Sequence, residues 1–272
     1  MVPICKCPVN KKQKNNNMKS ELEAFERLSN ILDELRVKCP WDKKQTIESL
    51  RYLTIEEVYE LSDAIVEQQY DEVKKELGDI IMHILFYSKI AQDDSRFTLT
   101  DVLNSICEKL IRRHPHIYGD VEANDAEVVK QNWEKIKMTE GRTSVLSGVP
   151  NSLPAMVKAV RMQEKAKGIG FDWDNADQVK EKMLEEYDEL QVELAKENNH
   201  DKIEAEFGDL LFALINWSRF IGVNPEDALE RTNKKFKTRF QYMEKKSRDT
   251  GRQLSDMTLE EMDVWWNEAK KL

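Results

Sequence analysis

Residues 56–81 read EEVYELSDAIVEQQYDEVKKELGDII, and residues 185–211 read EEYDELQVELAKENNHDKIEAEFGDLL. Both stretches carry one acidic pattern: Glu57-x-x-Glu60 followed by Glu76-x-x-Asp79, and Glu186-x-x-Glu189 followed by Glu206-x-x-Asp209. Glu57 to Glu186 is an offset of 129 residues and Glu76 to Glu206 one of 130, so the spacing inside the pattern is kept to within one residue. Apolar positions repeat with the acids: Leu77, Ile80, Ile81, Ile84 and Leu85 match Phe207, Leu210, Leu211, Leu214 and Ile215. Each set follows an i, i+3, i+4, i+7, i+8 rule, the signature of a helix with one face to bury. A repeat of this length implies two copies of one supersecondary unit.

Outward from these stretches the periodicity stays helical. Only nine glycines and seven prolines punctuate 272 residues, and the expectation is an all-α chain of two tandem helical units. Gly141, Ser144, Ser147, Gly148, Pro150 and Pro154 gather into a linker read as 141–154, which separates a first unit over 20–140 from a second over 155–272. Residues 1–19 lack the apolar core of a secretory signal and read as a flexible extension. Trp133 and Lys137 late in the first half resemble Trp266 and Lys270 late in the second. Gly78 and Gly208, which weaken a helix interior by about 1 kcal/mol each, suggest close helix contacts. Thr54-x-x-Glu57 has the form of a capping box.

Composition narrows the function classes. An excess of 51 acids over 42 bases gives a net charge of -9, which opposes stable nucleic-acid binding through bulk electrostatics. No apolar run approaches the roughly 20 residues of a membrane span. Four cysteines without framework spacing point to reduced thiols and a cytoplasmic setting, and Cys5-x-Cys7 lacks a second ligand pair for zinc.

Residues three apart on a helix share a face, so each half of the pattern points two carboxylates in one direction. If the helices are antiparallel neighbours joined near Asn198 to Asp201, four carboxylates converge and require a cation or a proton between them. Oxygen-only ligation suits Mg²⁺, with Mn²⁺ as a substitute. The ligand candidates are Glu57, Glu60, Glu76 and Asp79 in one copy and Glu186, Glu189, Glu206 and Asp209 in the other. Carboxylate-bridged di-iron bundles place a Glu-x-x-His pair on their helices, whereas here the second pair ends in aspartate. His83 follows Asp79 by one turn, but its counterpart is Ala213, which makes it structural.

Lysines separate the copies: Lys182 precedes Glu186 by one turn and Lys202 precedes Glu206, where the first copy has Leu53 and Glu72. A cation beside metal-binding carboxylates can hold phosphate oxygens. Lys235 and Arg239 share a helical face suited to polyphosphate, with Lys109 and Arg113 in comparable first-half positions, and Trp266 offers a flat face to a base. The sequence has no Gly-x-x-x-x-Gly-Lys-Ser/Thr phosphate loop, no Gly-x-Ser-x-Gly elbow and no His-Glu-x-x-His, and Gly168-Ile169-Gly170 is too short for a dinucleotide fingerprint. Metal-activated water is the hydrolytic route left. A scaffold in which the acids are solvated surface is the competing reading.

At the quartets, and at Cys39-Pro40-Trp41-Asp42, Arg112-Arg113-His114-Pro115-His116, Leu153-Pro154-Ala155 and Gly170-Phe171-Asp172-Trp173, the chain resembles the two-domain form of the MazG family of nucleoside triphosphate pyrophosphohydrolases. The resemblance covers residues 20 to 272. It implies helices of two protomers completing a four-helix-bundle-like assembly in a homodimer, and Mg²⁺-dependent conversion of a nucleoside triphosphate to a monophosphate and pyrophosphate. It implies that Glu186, Glu189, Glu206 and Asp209 hold the metal, that Lys182, Lys202, Lys235, Arg239 and Trp266 bind the nucleotide, ATP among the substrates, and that the second unit carries the activity.

Overall fold

The computed structural model describes residues 11–120, 125–141 and 144–271. Eleven α-helices account for most of the described residues, and no strand occurs among them. They are α1 (Lys11–Lys38), α2 (Ile47–Val66), α3 (Tyr70–Asp93), α4 (Leu99–Arg113), α5 (Pro115–Tyr118), α6 (Ala126–Thr139), α7 (Ala155–Gly168), α8 (Ala176–Leu194), α9 (His200–Phe220), α10 (Pro225–Thr250) and α11 (Leu259–Ala269). Single 3-10 turns lie at Asp42–Lys44, Val145–Gly148 and Leu254–Asp256. None of the helices is long and apolar enough to cross a membrane.

The chain divides into two compact units, Met1–Tyr118 and Gly119–Leu272. α1 opens at Lys11, inside the stretch read as a flexible extension, while Cys5 and Cys7 lie outside the described residues. α6 packs on α7 and is grouped with the second unit, although the sequence reading places it in the first.

In the first unit α2 and α3 form an antiparallel hairpin around Leu50, Phe86 and Ile90, with Ile47, Leu53 and Tyr87 packed against them. Thr46, not Thr54, caps α2: its hydroxyl accepts from the Ser49 amide and the Ser49 hydroxyl accepts from the Thr46 amide at 2.8 Å. Thr54 lies two turns further in and joins the helices through polar bonds, with its Oγ1 2.9 Å from His83 Nδ1 and 2.7 Å from Tyr87 Oη. His83 is therefore a buried hairpin residue, as read from sequence. α1 lies against α3, tied by Lys89 to Asp33 at 2.5 Å and by Arg36 to Asp93 at 3.0 Å.

The second unit repeats the hairpin as α8 and α9. Asn175 caps α8 through bonds from the Asp177 and Gln178 amides. The reversal uses a left-handed residue in both copies, Gln68 (φ 58) in the first and Asn198 (φ 53) in the second, so the repeat extends to backbone conformation. Glu193 fastens the second turn, accepting from Asn199 and, at 2.6 Å, from Lys196 Nζ. α10, begun by the Asn224 cap and Pro225 and closed by left-handed Gly251 (φ 67), folds back on α11.

Two expectations change. Among the described residues, nothing beyond its own helical turn comes within 4 Å of the Cβ position at Gly78 or Gly208, so neither glycine relieves a close approach there. The apolar stripes are only partly covered: Leu85 and Ile215 are buried, whereas Leu77, Ile81 and Ile84, and Phe207, Leu211 and Leu214, stay exposed. A hairpin of two helices has one inward face, and a stripe this wide overruns it.

Candidate metal and nucleotide site

The hairpins bring the acids together twice. In the first unit Glu57 from α2 and Glu76 and Asp79 from α3 offer oxygens all within 4.8 Å of one another. In the second, Glu186 from α8 and Glu206 and Asp209 from α9 do the same within 4.8 Å. The antiparallel turn makes this possible, because it faces the third turn of one helix against the second turn of the next. Glu60 and Glu189 are exposed and stand outside these triads, although both act on them electrostatically.

In each triad one carboxyl is pushed up by its neighbours. Glu57 is held above the ordinary carboxylate value of 4.5 by desolvation and by the charges of Asp79, Glu60 and Glu76. In the second triad the raised group is instead Glu206, through desolvation and the charges of Glu189, Asp209, Glu186 and Glu193. A lysine stands beside the second triad. Lys182 Nζ lies 2.9 Å from Glu186 Oε1 and 2.9 Å from Glu185 Oε1, and its own pKa is driven well up by the two carboxylates. Leu53 offers the first triad no such partner. The oxygen-only donors and their unrelieved negative charge fit a hard divalent cation.

Lys202 is exposed on the first turn of α9 and acts on Glu193. Arg239, Phe236 and Trp266 form a second cluster on α10 and α11: the Arg239 guanidinium lies 5.5 Å from the Trp266 ring centroid, and Phe236 lies 5.1 Å from it. Lys235 is exposed beside them. Within the second unit the acidic triad on α8 and α9 and the aromatic-cation cluster on α10 and α11 are thus separate groups.

Sequence reasoning left the Gly170-Phe171-Asp172-Trp173 block without a chemical role. Asp172 makes a bidentate ion pair with Arg219 of α9, which also bonds Asn216 Oδ1 at 2.7 Å. Burial raises the Asp172 pKa, but the Arg219 bonds and charge outweigh it and hold the carboxyl below its ordinary 3.8. The pair ties the α7–α8 loop to α9 beside a half-open hollow of about 450 Å³, lined by Met162, Gln163, Phe171, Trp173 and Phe212 and by Asp172, Asn216 and Arg219 themselves.

Comparison with known proteins agrees with these hairpins. The MazG nucleotide pyrophosphohydrolase domain matches residues 45–118 and 175–243, which contain both quartets. The chain is 45% identical over 252 residues to the uncharacterized protein YabN of Bacillus subtilis, covering 91% of this chain and 52% of that protein, so it spans about half of that relative. It is 37% identical over 258 residues to the nucleoside triphosphate pyrophosphohydrolase of Escherichia coli K12, covering 92% of this chain and 98% of that one. With the nucleoside triphosphate pyrophosphohydrolase/pyrophosphatase MazG of Thermotoga maritima the identity is 41% over 258 residues, covering 93% and 98%. Matched across both acidic hairpins and along nearly the whole length of two such relatives, the chain belongs to the MazG nucleotide pyrophosphohydrolase family.

Proposed function

We propose that this chain is a Mg²⁺-dependent nucleoside triphosphate pyrophosphohydrolase, converting an NTP or dNTP to the monophosphate and pyrophosphate at the second acidic hairpin. The observation that supports this best is the approach of Glu186, Glu206 and Asp209 within 4.8 Å of one another, beside Lys182, in a member of this family. Those three residues would hold the metal, which when bound supplies a Lewis acid for the triphosphate and lowers the pKa of a water. Mn²⁺ would serve in its place.

The side chains divide the remaining work. Lys182 shares its charge between Glu185 and Glu186 and can give up one partner to a phosphate oxygen. Lys202, Lys235 and Arg239 supply further positive charge, and Trp266 supports the Arg239 guanidinium through its ring face. Water adds across the bond between the α and β phosphoryl groups and loses a proton. Glu189 stands outside the triad, so its carboxylate is the one left to accept that proton. In this reading the first triad is a retained copy without phosphate-holding lysines, serving assembly or a weaker activity. The uncovered apolar stripes of α3 and α9 would be buried in a homodimer in which two protomers complete four-helix arrangements.

Product analysis tests the proposal. With Mg²⁺ and a panel of NTPs and dNTPs, monophosphate and pyrophosphate are expected in equal amounts. Diphosphate plus inorganic phosphate would refute the bond assignment, and no turnover with any triphosphate would favour the scaffold reading.

A further inference from the structure

The open end of each acidic hairpin is held by one arginine. In the second unit Asp172, just before α8, accepts from two nitrogens of the Arg219 guanidinium in the last turn of α9, one of them at 2.9 Å. Arg219 is steadied in turn by Asn216 Oδ1 at 2.7 Å and by the Phe220 ring, whose centroid lies 4.7 Å from the guanidinium. In the first unit Arg36 of α1 reaches the same result by another route. It donates to the Asp42 carbonyl at 2.6 Å and the Gln45 carbonyl at 3.0 Å, just before α2, and to Asp93, the last residue of α3, at 3.0 Å. It too stands over an aromatic ring, 5.8 Å from the Phe86 centroid.

Sequence repetition does not account for this likeness. The residue matching Arg219 in the first hairpin is Lys89, which pairs with Asp33 of α1, and the residue matching Asp93 is Val223. Two copies that differ at these positions thus share one arrangement, a guanidinium joining the entry of the first helix to the exit of the second. In the second copy both partners are only 17% exposed. A covered ion pair is a poor source of stability, because desolvation offsets its attraction, whereas a bidentate guanidinium fixes distance and direction.

The second hairpin has a reason to need such fixing. Glu186 on α8 and Glu206 and Asp209 on α9 stand within 4.8 Å of one another, and like charges at that range push the helices apart until a cation is bound. Glu186 lies roughly 16 Å along α8 from the Asn175 cap, and a similar distance from the turn at Asn198. The chain itself joins the helices at the turn. At the other end the Asp172–Arg219 pair takes that part, so the triad sits midway between a covalent tie and an ionic one.

We propose that Asp172 and Arg219 are positioning residues for the second metal site: as a clasp on the open end of the hairpin, they keep Glu186 in register with Glu206 and Asp209 before a divalent cation arrives. The assignment rests on the metal-dependent reading above, and the pair acts only through the triad. Arg36 is its counterpart for the first triad.

The test measures Mn²⁺ binding by electron paramagnetic resonance in the full chain carrying Glu76→Gln and Asp79→Asn, which strip two ligands from the first triad. Asp172→Asn, Arg219→Met and the double variant are compared in this background, with circular dichroism confirming equal helix content. Each single change should weaken Mn²⁺ binding about tenfold, the low end of the range for a residue that orients metal ligands, and the double variant should be no weaker than either. Asp172→Glu, which keeps the ion pair, should recover most of the affinity. If Arg219→Met does not fold, Arg219→Lys, the residue type of the matching position, carries the same test with a smaller loss. The Mg²⁺ needed for half-maximal triphosphate hydrolysis should rise by the same factor. Unchanged Mn²⁺ affinity in the single variants would overturn the clasp, as would losses that add in the double variant or failure of Mn²⁺ to bind the background. Loss of Mn²⁺ that follows the pair, in a protein that cleaves no triphosphate, would uphold the clasp and refute the hydrolase reading.

Discussion

The two acidic hairpins share backbone, turn conformation and triad geometry, and differ in what surrounds the triad. In the first, Glu57 meets Asp79, Glu60 and Glu76 with no lysine one turn before it, and its carboxyl is pushed up. In the second, Lys182 lies against Glu186, and the carboxyl pushed up is that of Glu206. Similar triads therefore have different surroundings, and on the proposed hydrolysis that difference matters, because a triphosphate would draw on cations from the protein as well as from the metal. The hairpin interiors differ too. Thr54, His83 and Tyr87 form a polar contact in the first copy, and the corresponding positions of the second are Met183, Ala213 and Trp217.

Short of removing a carboxylate of the quartet, the largest expected effect comes from making the second site resemble the first. Lys182→Leu should lower kcat/KM for NTP hydrolysis by about 10²-fold, the range for removing a charged group that steadies a transferring phosphate. Steady-state rates at saturating Mg²⁺ check this, and full activity would show that the lysine asymmetry has no catalytic meaning. The reciprocal Leu53→Lys should bring Glu57 back toward an ordinary pKa, read by carboxyl NMR titration.

Next in size is the interior difference. Thr54→Val leaves His83 Nδ1 and Tyr87 Oη without their shared partner and should destabilise the first unit by about 1–3 kcal/mol, measured by urea unfolding. Met183→Leu at the matching position should cost less than about 1.5 kcal/mol, as volume-conserving swaps do. Equal losses would mean the polar contact contributes nothing special.

The smallest effect is in pH dependence, where the signs oppose. Glu57 and Glu206 have raised pKa values, so their contribution to stability is fully present below the ordinary 4.5 and is lost as pH rises through their folded values. Asp172 is lowered, so its contribution is present above its ordinary 3.8 and is lost as pH falls through the folded value. Melting curves from pH 3 to 7 without metal should show the triads lowering Tm toward neutrality, and Mg²⁺ should restore it at pH 7 more than at pH 4. A Mg²⁺ response independent of pH would place the bound ion elsewhere.

The repeat explains how much of this was legible in the sequence. Local periodicity and spacing specify the hairpins, and the left-handed turn near Asn198 follows once two amphipathic helices end within a few residues of each other. The triads follow from that turn, because i, i+3 carboxylates facing across an antiparallel pair must meet. What sequence hid depends on long-range pairing. Thr54 reads as a cap until His83 and Tyr87 are brought to it from 29 and 33 residues away. Gln163 shows nothing until Phe212 and the Asp172–Arg219 pair, 47 residues apart, come beside it. The Gly170-Phe171-Asp172-Trp173 block was the one signal for that hollow, and a short motif cannot name the helix it will be tied to.

The central claim, that the second triad is the catalytic site and the first is not its equal, is tested most directly by pyrophosphate release from Glu189→Ala and Glu60→Ala assayed side by side with Mg²⁺ and ATP. The account predicts that Glu189→Ala loses about 10²–10⁴-fold in kcat, the usual contribution of a positioned general base, and that Glu60→Ala retains most of its rate. Equal losses in the two variants would contradict it.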